Sequence, residues 1–196
     1  MAILRPLQEC VYRVLLVSAS EKFNQSLCAL LPETMFSPVV TVDSEGAARR
    51  MLLERRFDLL LINTPLPDAF GTRLAQTAAE SDMGILVFVK SEQYDGVSLG
   101  MMREGVLTLA KPASQHAVTQ ALRLLCASHE RLRRMEKRTE TLERKMEEVR
   151  LVSRAKWVLI ARYAMTEEEA HRYIEKQAMD RCLTKRELAE EILGES

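Results

Sequence analysis

The sequence has no excess of charge of either sign, because its 28 lysines and arginines balance its 28 aspartates and glutamates. Proteins that bind nucleic acid through electrostatics alone carry a surplus of basic residues, so the total charge does not indicate such a function here. The chain also has only four cysteines, and none is spaced as in a zinc site or a redox motif. We therefore expect reduced thiols, no metal site and no cofactor.

Long apolar runs and a secretory signal are missing as well. The longest apolar runs have about five residues, whereas a membrane-spanning helix needs about 20. The first ten residues, MAILRPLQEC, lack the apolar core and the cleavage site of a signal peptide. We expect a cytoplasmic protein without membrane association.

No arrangement of residues typical of catalysis is present. The sequence contains no Ser/His/Asp set, no paired carboxylates and no glycine-rich phosphate loop. Its three histidines, His116, His129 and His171, fall on predicted helices and lack the spacing of metal ligands. We do not expect an enzyme.

A heptad pattern runs from Ser114 to about Val149 and sets apolar residues along one side of a single helix. With Leu132 at position a, arginines at g precede glutamates at the following e in two heptads, as in a parallel coiled coil. We expect a parallel homodimer, whose dimerisation residues are Leu125, Leu132, Met135, Leu142, Met146 and Val149. The alternative is one amphipathic helix that packs on its own chain.

Five short runs of branched apolar residues recur at even spacing before this helix: 12–17, 38–42, 58–63, 85–89 and 106–110. They are apolar throughout, as strands buried on both faces are. Helix-like segments separate them, at 45–56, 71–80 and 95–104 among others. This alternation predicts an α/β fold with a doubly wound, five-stranded parallel sheet.

Residues 11–126 resemble the receiver domain of response regulators, which is a flavodoxin-like fold. The likeness rests on the turn NTPLPDAFG, in which Pro67 and Gly71 follow Asn63 by four and eight residues, and on Lys111-Pro112 after the fifth strand. The resemblance implies that functional residues lie at the carboxyl ends of the strands.

The residues that carry phosphate chemistry in receivers are replaced in this chain. The resemblance implies an acidic pair after strand 1, an aspartate at the end of strand 3 and a hydroxyl after strand 4. This chain has Ser18 and Ala19, Asn63 and Val89 instead. An amide is a poor nucleophile, and neutral side chains bring no charge to Mg²⁺. Only Lys111 remains, so we expect a receiver-like domain that is not phosphorylated, with Lys111 hydrogen-bonded to Asn63.

The last part of the chain predicts a bundle of three short helices past Val149, where the heptads lose phase, with a break at Ala164-Met165 after the first of them. The helices are expected at 150–163, 167–181 and 185–193. Two Thr-x-x-Glu capping boxes, at Thr166 with Glu169 and at Thr184 with Glu187, precede the second and third helices.

The same segment, residues 145–193, resembles the ANTAR output module of transcription antitermination regulators. The matching positions are Ala155-Lys156, Val158-Leu159, Glu169-Ala170, Ile174, Ala178-Met179, Leu188-Ala189 and Ile192. Ala164 stands where that family has a glycine in the turn, and we expect slight strain there. The resemblance implies a homodimer that binds tandem stem-loops of a leader mRNA and prevents a terminator hairpin from forming.

Three parts are therefore expected: a receiver-like domain at 11–126, a coiled-coil dimerisation helix at 114–150 and an RNA-binding bundle at 150–196. The candidates for phosphate contact are the cations of the bundle, Lys156, Arg181, Lys185, Arg186, Arg154, Arg172 and Lys176. The first four are favoured, because they lie near helix ends where an RNA loop could approach. His171 and Tyr173 are candidates for base stacking, although core packing is the favoured interpretation of Trp157 and Tyr173.

The alternative function is a dimeric adaptor that binds another protein and no nucleic acid. Residues 151–196 favour it through their near-neutral charge, with eight lysines and arginines against nine aspartates and glutamates. DNA binding is less favoured, because neither helix pair resembles a helix-turn-helix. Control is expected from a regulatory protein or a small-ligand partner at the receiver-like domain, or from dimerisation.

Overall fold

The computed structural model describes residues 11–194, which form two compact units that divide between Arg133 and Arg134. The first ten residues, with Cys10 and the segment for which no signal peptide is expected, lie outside the described residues. Among the described residues, none of the helices combines the length and the apolar character required to cross a membrane.

The first unit alternates strands and helices along the chain. The strands are β1 (Tyr12–Val17), β2 (Phe36–Val42), β3 (Leu59–Asn63), β4 (Gly84–Lys90) and β5 (Leu107–Lys111). The helices between them are α1 (Glu21–Cys28), α2 (Glu45–Glu54), α3 (Thr72–Ala78) and α4 (Ser91–Arg103). The predicted helix at 95–104 thus begins four residues earlier, at Ser91.

All five strands are parallel, in the order β2-β1-β3-β4-β5. Every residue of β3 is buried, because the central strands are covered by helices on both faces. Alternate residues of these strands point into two apolar cores, one on each face of the sheet. The predicted doubly wound parallel sheet is confirmed.

A long helix, α5 (Gln115–Tyr163), follows the sheet, and its first turns pack on it. The buried residues of this part are Val118, Leu122, Leu125, Cys126 and His129. Leu125 is 2% exposed, and a Cβ built at Gly84 would lie 3.1 Å from its Cγ. The assignment of Leu125 to a dimer seam is therefore wrong, because its side chain is already enclosed by its own domain.

Beyond the sheet, α5 continues without a break to Tyr163, so the segment predicted as a separate helix at 150–163 is the end of α5. All side chains from Arg131 to Glu147 are exposed. The heptad phase changes near Val149 because the helix turns a different face inward, towards the bundle. The change of pattern marks a new packing partner and not a helix end.

The second unit is a small bundle formed by the end of α5 with α6 (Glu167–Asp180) and α7 (Lys185–Gly194). Its core consists of Ala155, Leu159, Ala170, Ile174, Ala178, Leu188 and Ala189. Both predicted capping boxes are present. The Thr166 amide donates to the Glu169 carboxylate at 2.8 Å, and the Thr184 amide donates to the Glu187 carboxylate at 2.7 Å. Such boxes satisfy backbone donors that a helix start leaves unpaired.

Candidate functional site

The carboxyl ends of β1, β3 and β5 bring together Ser18, Asn63 and Lys111, as the receiver resemblance implies. The Asn63 amide donates to the Ser18 hydroxyl at 2.9 Å. The Lys111 ammonium donates to the Asn63 carboxamide oxygen and, at 2.5 Å, to the backbone oxygen of Thr64. Ser18 and Asn63 are buried. These polar groups therefore satisfy one another within the fold.

This cluster has no carboxylate at the positions where a receiver carries its acids. Burial lowers the pKa of Lys111, and the nearby charge of Lys90 adds to this effect. Val89 is fully buried in the sheet, and Ala19 is exposed but brings no charge. Over residues 11–194, no group of three His, Cys, Asp or Glu side chains is placed to hold a metal ion.

The two acids nearest to Asn63 in sequence, Asp58 and Asp68, serve other parts of the fold. Asp68 accepts hydrogen bonds at 2.9 Å from the backbone amides of Glu45 and Gly46, which lowers its pKa and caps the start of α2. Asp58 lies at the start of β3 and pairs with Arg13 at 3.0 Å. Asp58 therefore lies at the opposite end of β3 from Asn63, and Asp68, on the connection from β3 to α3, is engaged by the start of α2.

Five of the seven candidate RNA-contacting cations form ion pairs within the bundle. The pairs are Lys156–Glu167 at 3.0 Å, Arg172–Glu168 at 2.5 Å, Arg181–Glu191 at 2.7 Å, Lys185–Glu175 at 2.6 Å and Arg186–Glu190 at 2.8 Å. Three of them join different helices. Within residues 11–194, Arg154 and Lys176 form no ion pair. Sequence spacing could not separate these two groups, because the inter-helix partners lie ten or eleven residues away.

The aromatic residues of the bundle lie at its surface. Trp157 is 70% exposed and Tyr173 is 40% exposed, so the interpretation of both as core residues is wrong. Trp157 is two residues from both Ala155 and Leu159, which face inward, and two residues correspond to about 200° around a helix. The apolar character of Trp157 suggested burial, but its helical phase places it on the opposite face.

A groove that the sequence did not indicate lies between the α5 terminus and α6. Tyr163, which is 60% exposed, and Tyr173 line it together with Met165, Arg172 and Lys176. We call these five residues the tyrosine groove. It combines two aromatic rings with two cations, the side chains that single-stranded RNA binds through stacking and phosphate neutralisation. Its one lining acid, Glu169, accepts the capping hydrogen bonds of Thr166. The sequence indicated a turn at Ala164, but helix periodicity does not show that this turn places Tyr163 and Tyr173 in one groove.

The comparison with protein families identifies the second unit. Residues 140–193 match the ANTAR domain, which confirms the resemblance. The curated relatives include the transcriptional regulatory protein PdtaR of Mycobacterium tuberculosis, found in two strains. Each copy is 26% identical to this chain over 182 residues, which cover 92% of this chain and 89% of the relative.

Solved structures share the fold of the first unit. A response regulator receiver domain protein from Clostridium thermocellum matches with a TM-score of 0.54 and 17% identity, over 64% of this chain and 99% of that chain. The beryllofluoride-activated NtrC4 receiver domain dimer matches with a TM-score of 0.52 and 23% identity, over 61% of this chain and 98% of that chain. At these identities the likeness establishes the receiver fold and nothing of its chemistry.

Proposed function

We propose that this chain, which combines an ANTAR domain with a receiver-like fold, is an RNA-binding transcription antitermination regulator of the cytoplasm. A homodimer binds two tandem stem-loops of a leader mRNA and so prevents a terminator hairpin from forming. Residues 11–126 receive a signal, residues 114–150 dimerise and residues 150–196 bind RNA. The observation that carries the proposal is the surface of the bundle, where three aromatic side chains are exposed next to cations.

The exposed aromatic rings supply the base contacts in this proposal. A tryptophan that is 70% exposed leaves its aromatic face open to a base, and Trp and Tyr are enriched at binding interfaces. Stacking of a base on an aromatic ring contributes about 1–3 kcal/mol. Trp157 and the tyrosine groove therefore provide enough surface to hold unpaired bases of a hairpin loop.

The cations of the bundle supply the phosphate contacts, in two classes. Arg154 and Lys176 can contact phosphate without breaking an internal ion pair. The paired cations remain available, because an exposed ion pair contributes only about 0–1 kcal/mol. A phosphate can therefore displace a carboxylate such as Glu168 at little cost. We expect Arg154 and Lys176 to contribute most, followed by Lys156, Arg181, Lys185, Arg186 and Arg172.

The exposed middle of α5 supplies the dimer contact. Leu132, Met135, Leu142, Met146 and Val149 form a narrow apolar stripe, and each is at least 47% exposed. Burial of a Leu or Met side chain contributes about 1.5–3 kcal/mol. A parallel second copy would cover this stripe and set the arginines at heptad position g against the glutamates at e.

The receiver-like domain acts without phosphorylation in this proposal. Lys111 donates to the carboxamide oxygen of Asn63, and the positions where a receiver carries its acids hold Ser18, Ala19 and Asn63, which bring no carboxylate to accept a phosphoryl group or hold Mg²⁺. Control must therefore come from a regulatory protein, from a small ligand at this domain or from dimerisation.

A gel shift with a two-hairpin RNA tests the proposal. We expect a complex with two chains per tandem RNA, and affinity that falls as salt concentration rises because phosphate contacts release counterions. The matched control is an RNA of the same length in which both loops are paired. Equal affinity for the two RNAs, or affinity that does not depend on salt, contradicts the proposal.

The alternative of a protein-binding adaptor is favoured by the ion pairs of the bundle. They neutralise five of the cations that RNA would need. The gel shift separates the two functions, because an adaptor gives no RNA complex at low salt.

A further inference from the structure

A polar cavity opens at the amino ends of the strands, opposite the end of the sheet that carries Ser18, Asn63 and Lys111. Its volume is about 480 Å³, within the range of about 300–1,000 Å³ typical of small-molecule sites. The connection from α2 to β3, the connection from α3 to β4 and the helix α5 all contribute to its wall. It is separate from the Asn63 and Lys111 cluster, which lies at the carboxyl ends of the strands.

Four arginines line this cavity, namely Arg13, Arg55, Arg56 and Arg133. The lining acids are Asp58 and Asp82, so the cavity carries an excess of positive charge. The whole chain has zero net charge, so four arginines around one cavity do not reflect a generally basic surface. A cavity of this size and sign favours an anionic occupant.

The Arg13 guanidinium is held in place by Asp58. Its Nε donates to Oδ2 and its Nη2 donates to Oδ1, both at 3.0 Å. This forked contact fixes the plane of the guanidinium and leaves the Nη1 group as a further donor. Arg13 therefore needs no reordering to contact an anion in the cavity.

His129 fixes the opposite wall of the cavity. It is only 3% exposed, and its Nδ1 lies 2.9 Å from the backbone oxygen of Asp82. This contact holds α5 against the connection between α3 and β4. Arg133 lies one helical turn further along α5, and its contact with Glu130 is a loose one at 3.7 Å. Arg133 can therefore turn towards a ligand.

We propose that this cavity binds an oligophosphate group, either free or as part of a nucleotide. Guanidinium groups match phosphate oxygens with paired hydrogen bonds, and four of them around one recess suit two or three linked phosphates better than one. A continuous RNA backbone is less favoured because the recess is bounded by the buried His129 and the two connections. The ligand would join the α2–β3 connection to α5 at Arg133, where the helix leaves its domain.

This inference gives a chemical class to the small-ligand control proposed above, and to that extent rests on the proposed function. Titration calorimetry of the full chain, without RNA and without Mg²⁺, tests it with three probes: inorganic phosphate, pyrophosphate and ATP. We expect saturable binding of pyrophosphate and ATP with one site per chain. Inorganic phosphate should bind about tenfold more weakly, because it engages fewer guanidinium groups. Tighter binding of ATP than of pyrophosphate would identify a nucleotide, and equal binding would identify the oligophosphate group alone.

Variants locate the site. We expect the double variant Arg55→Gln with Arg56→Gln, and separately Arg133→Gln, to weaken pyrophosphate binding about tenfold or more. The matched control is Arg50→Gln, an exposed position of α2 outside the cavity, which should bind as the unaltered chain does. Circular dichroism melting checks that each variant is folded. No saturable binding of pyrophosphate or ATP, or equal loss in Arg50→Gln, overturns the inference.

Hydrogen exchange gives a second readout. Pyrophosphate should protect backbone amides at 55–58, 81–83 and 129–133, whereas protection confined to 150–194 would overturn the site. Because RNA is absent from both experiments, failure here leaves the RNA-binding proposal standing, and failure of the gel shift leaves this inference standing.

Discussion

The ammonium group of Lys111 donates a hydrogen bond to the carboxamide oxygen of Asn63, and the Asn63 amide donates in turn to Ser18 at 2.9 Å. This chain of hydrogen bonds occupies the place where the receiver resemblance implies carboxylates, phosphate and Mg²⁺. The polar groups left at this site now support the fold.

The first prediction concerns phosphorylation. The full chain incubated with acetyl phosphate and Mg²⁺ should gain no phosphoryl group, as measured by intact mass spectrometry. Asn63→Asp should also stay unmodified, because Ser18 and Ala19 still bring no charge to the metal ion. An acid-labile gain of one phosphoryl group in the unaltered chain would show that another carboxylate, such as Asp68, accepts phosphate.

The second prediction concerns the pair between Arg13 and Asp58. Asp58→Asn should lower the free energy of unfolding of the first unit by about 1–3 kcal/mol at neutral pH, because it removes charge-assisted hydrogen bonds. Urea unfolding measures this change. The control Asp95→Asn, at an exposed position of α4, should leave the free energy of unfolding unchanged.

The effect of Asp58 should depend on pH in the acid range. Burial raises the pKa of Asp58, but the hydrogen bonds from Arg13 outweigh burial, so its pKa is below the ordinary value of 3.8. A carboxyl with a lowered pKa contributes stability above its unfolded pKa, and this contribution is lost as pH falls through the folded pKa. The unaltered chain and Asp58→Asn should therefore converge in stability as pH falls below the folded pKa. A constant difference down to that pH would rule out this ionic contribution.

The third prediction concerns the turn between α5 and α6. Ala164 has a φ of +53°, a left-handed conformation that is unfavourable for residues with a Cβ. Ala164→Gly should stabilise the bundle by about 1 kcal/mol, measured by thermal unfolding. Ala161→Gly, at an exposed position inside α5, is the matched control and should destabilise it by about 1 kcal/mol. Equal effects of the two changes would mean that the turn is unstrained.

The fourth prediction concerns the RNA contacts. Trp157→Ala should weaken binding of the two-hairpin RNA about tenfold or more, because it removes base stacking, and should leave the melting temperature unchanged. Leu53→Ala, at another highly exposed apolar residue, is the control on the first unit. Arg154→Ala and Lys176→Ala should each remove one phosphate contact. Each change should therefore lower the slope of log affinity against log salt concentration by about one. An unchanged affinity of Trp157→Ala would assign the tryptophan to a protein partner.

The fold could be predicted from the sequence where a pattern of apolar residues has a single structural explanation. The β3 run LLLIN is apolar throughout because both faces of the sheet are covered, and the structure buries every one of its residues. The boxes at Thr166 and Thr184 could be located because capping is decided within four residues.

The errors arose where one pattern has two causes. The apolar stripe of α5 is continuous in sequence, but Leu125 faces the sheet whereas Leu132 faces solvent. Heptad positions do not show where the helix stops packing on its own domain. The side chain of Trp157 is apolar, as core side chains are, but its position around the α5 helix places it at the surface. The ion pairs of Lys156 and Lys185 depend on helix packing across the bundle, which no local pattern describes.

The dimer underlies the proposed two-loop recognition, and its mass is the most direct test. Sedimentation equilibrium of the full chain should give twice 22.3 kDa, and Leu142→Asp, which puts a charge into the apolar stripe, should give 22.3 kDa. Thr141→Asp, one position off the stripe on the same helix, should remain a dimer. A mass of one chain at every concentration, with and without the two-hairpin RNA, would contradict the account.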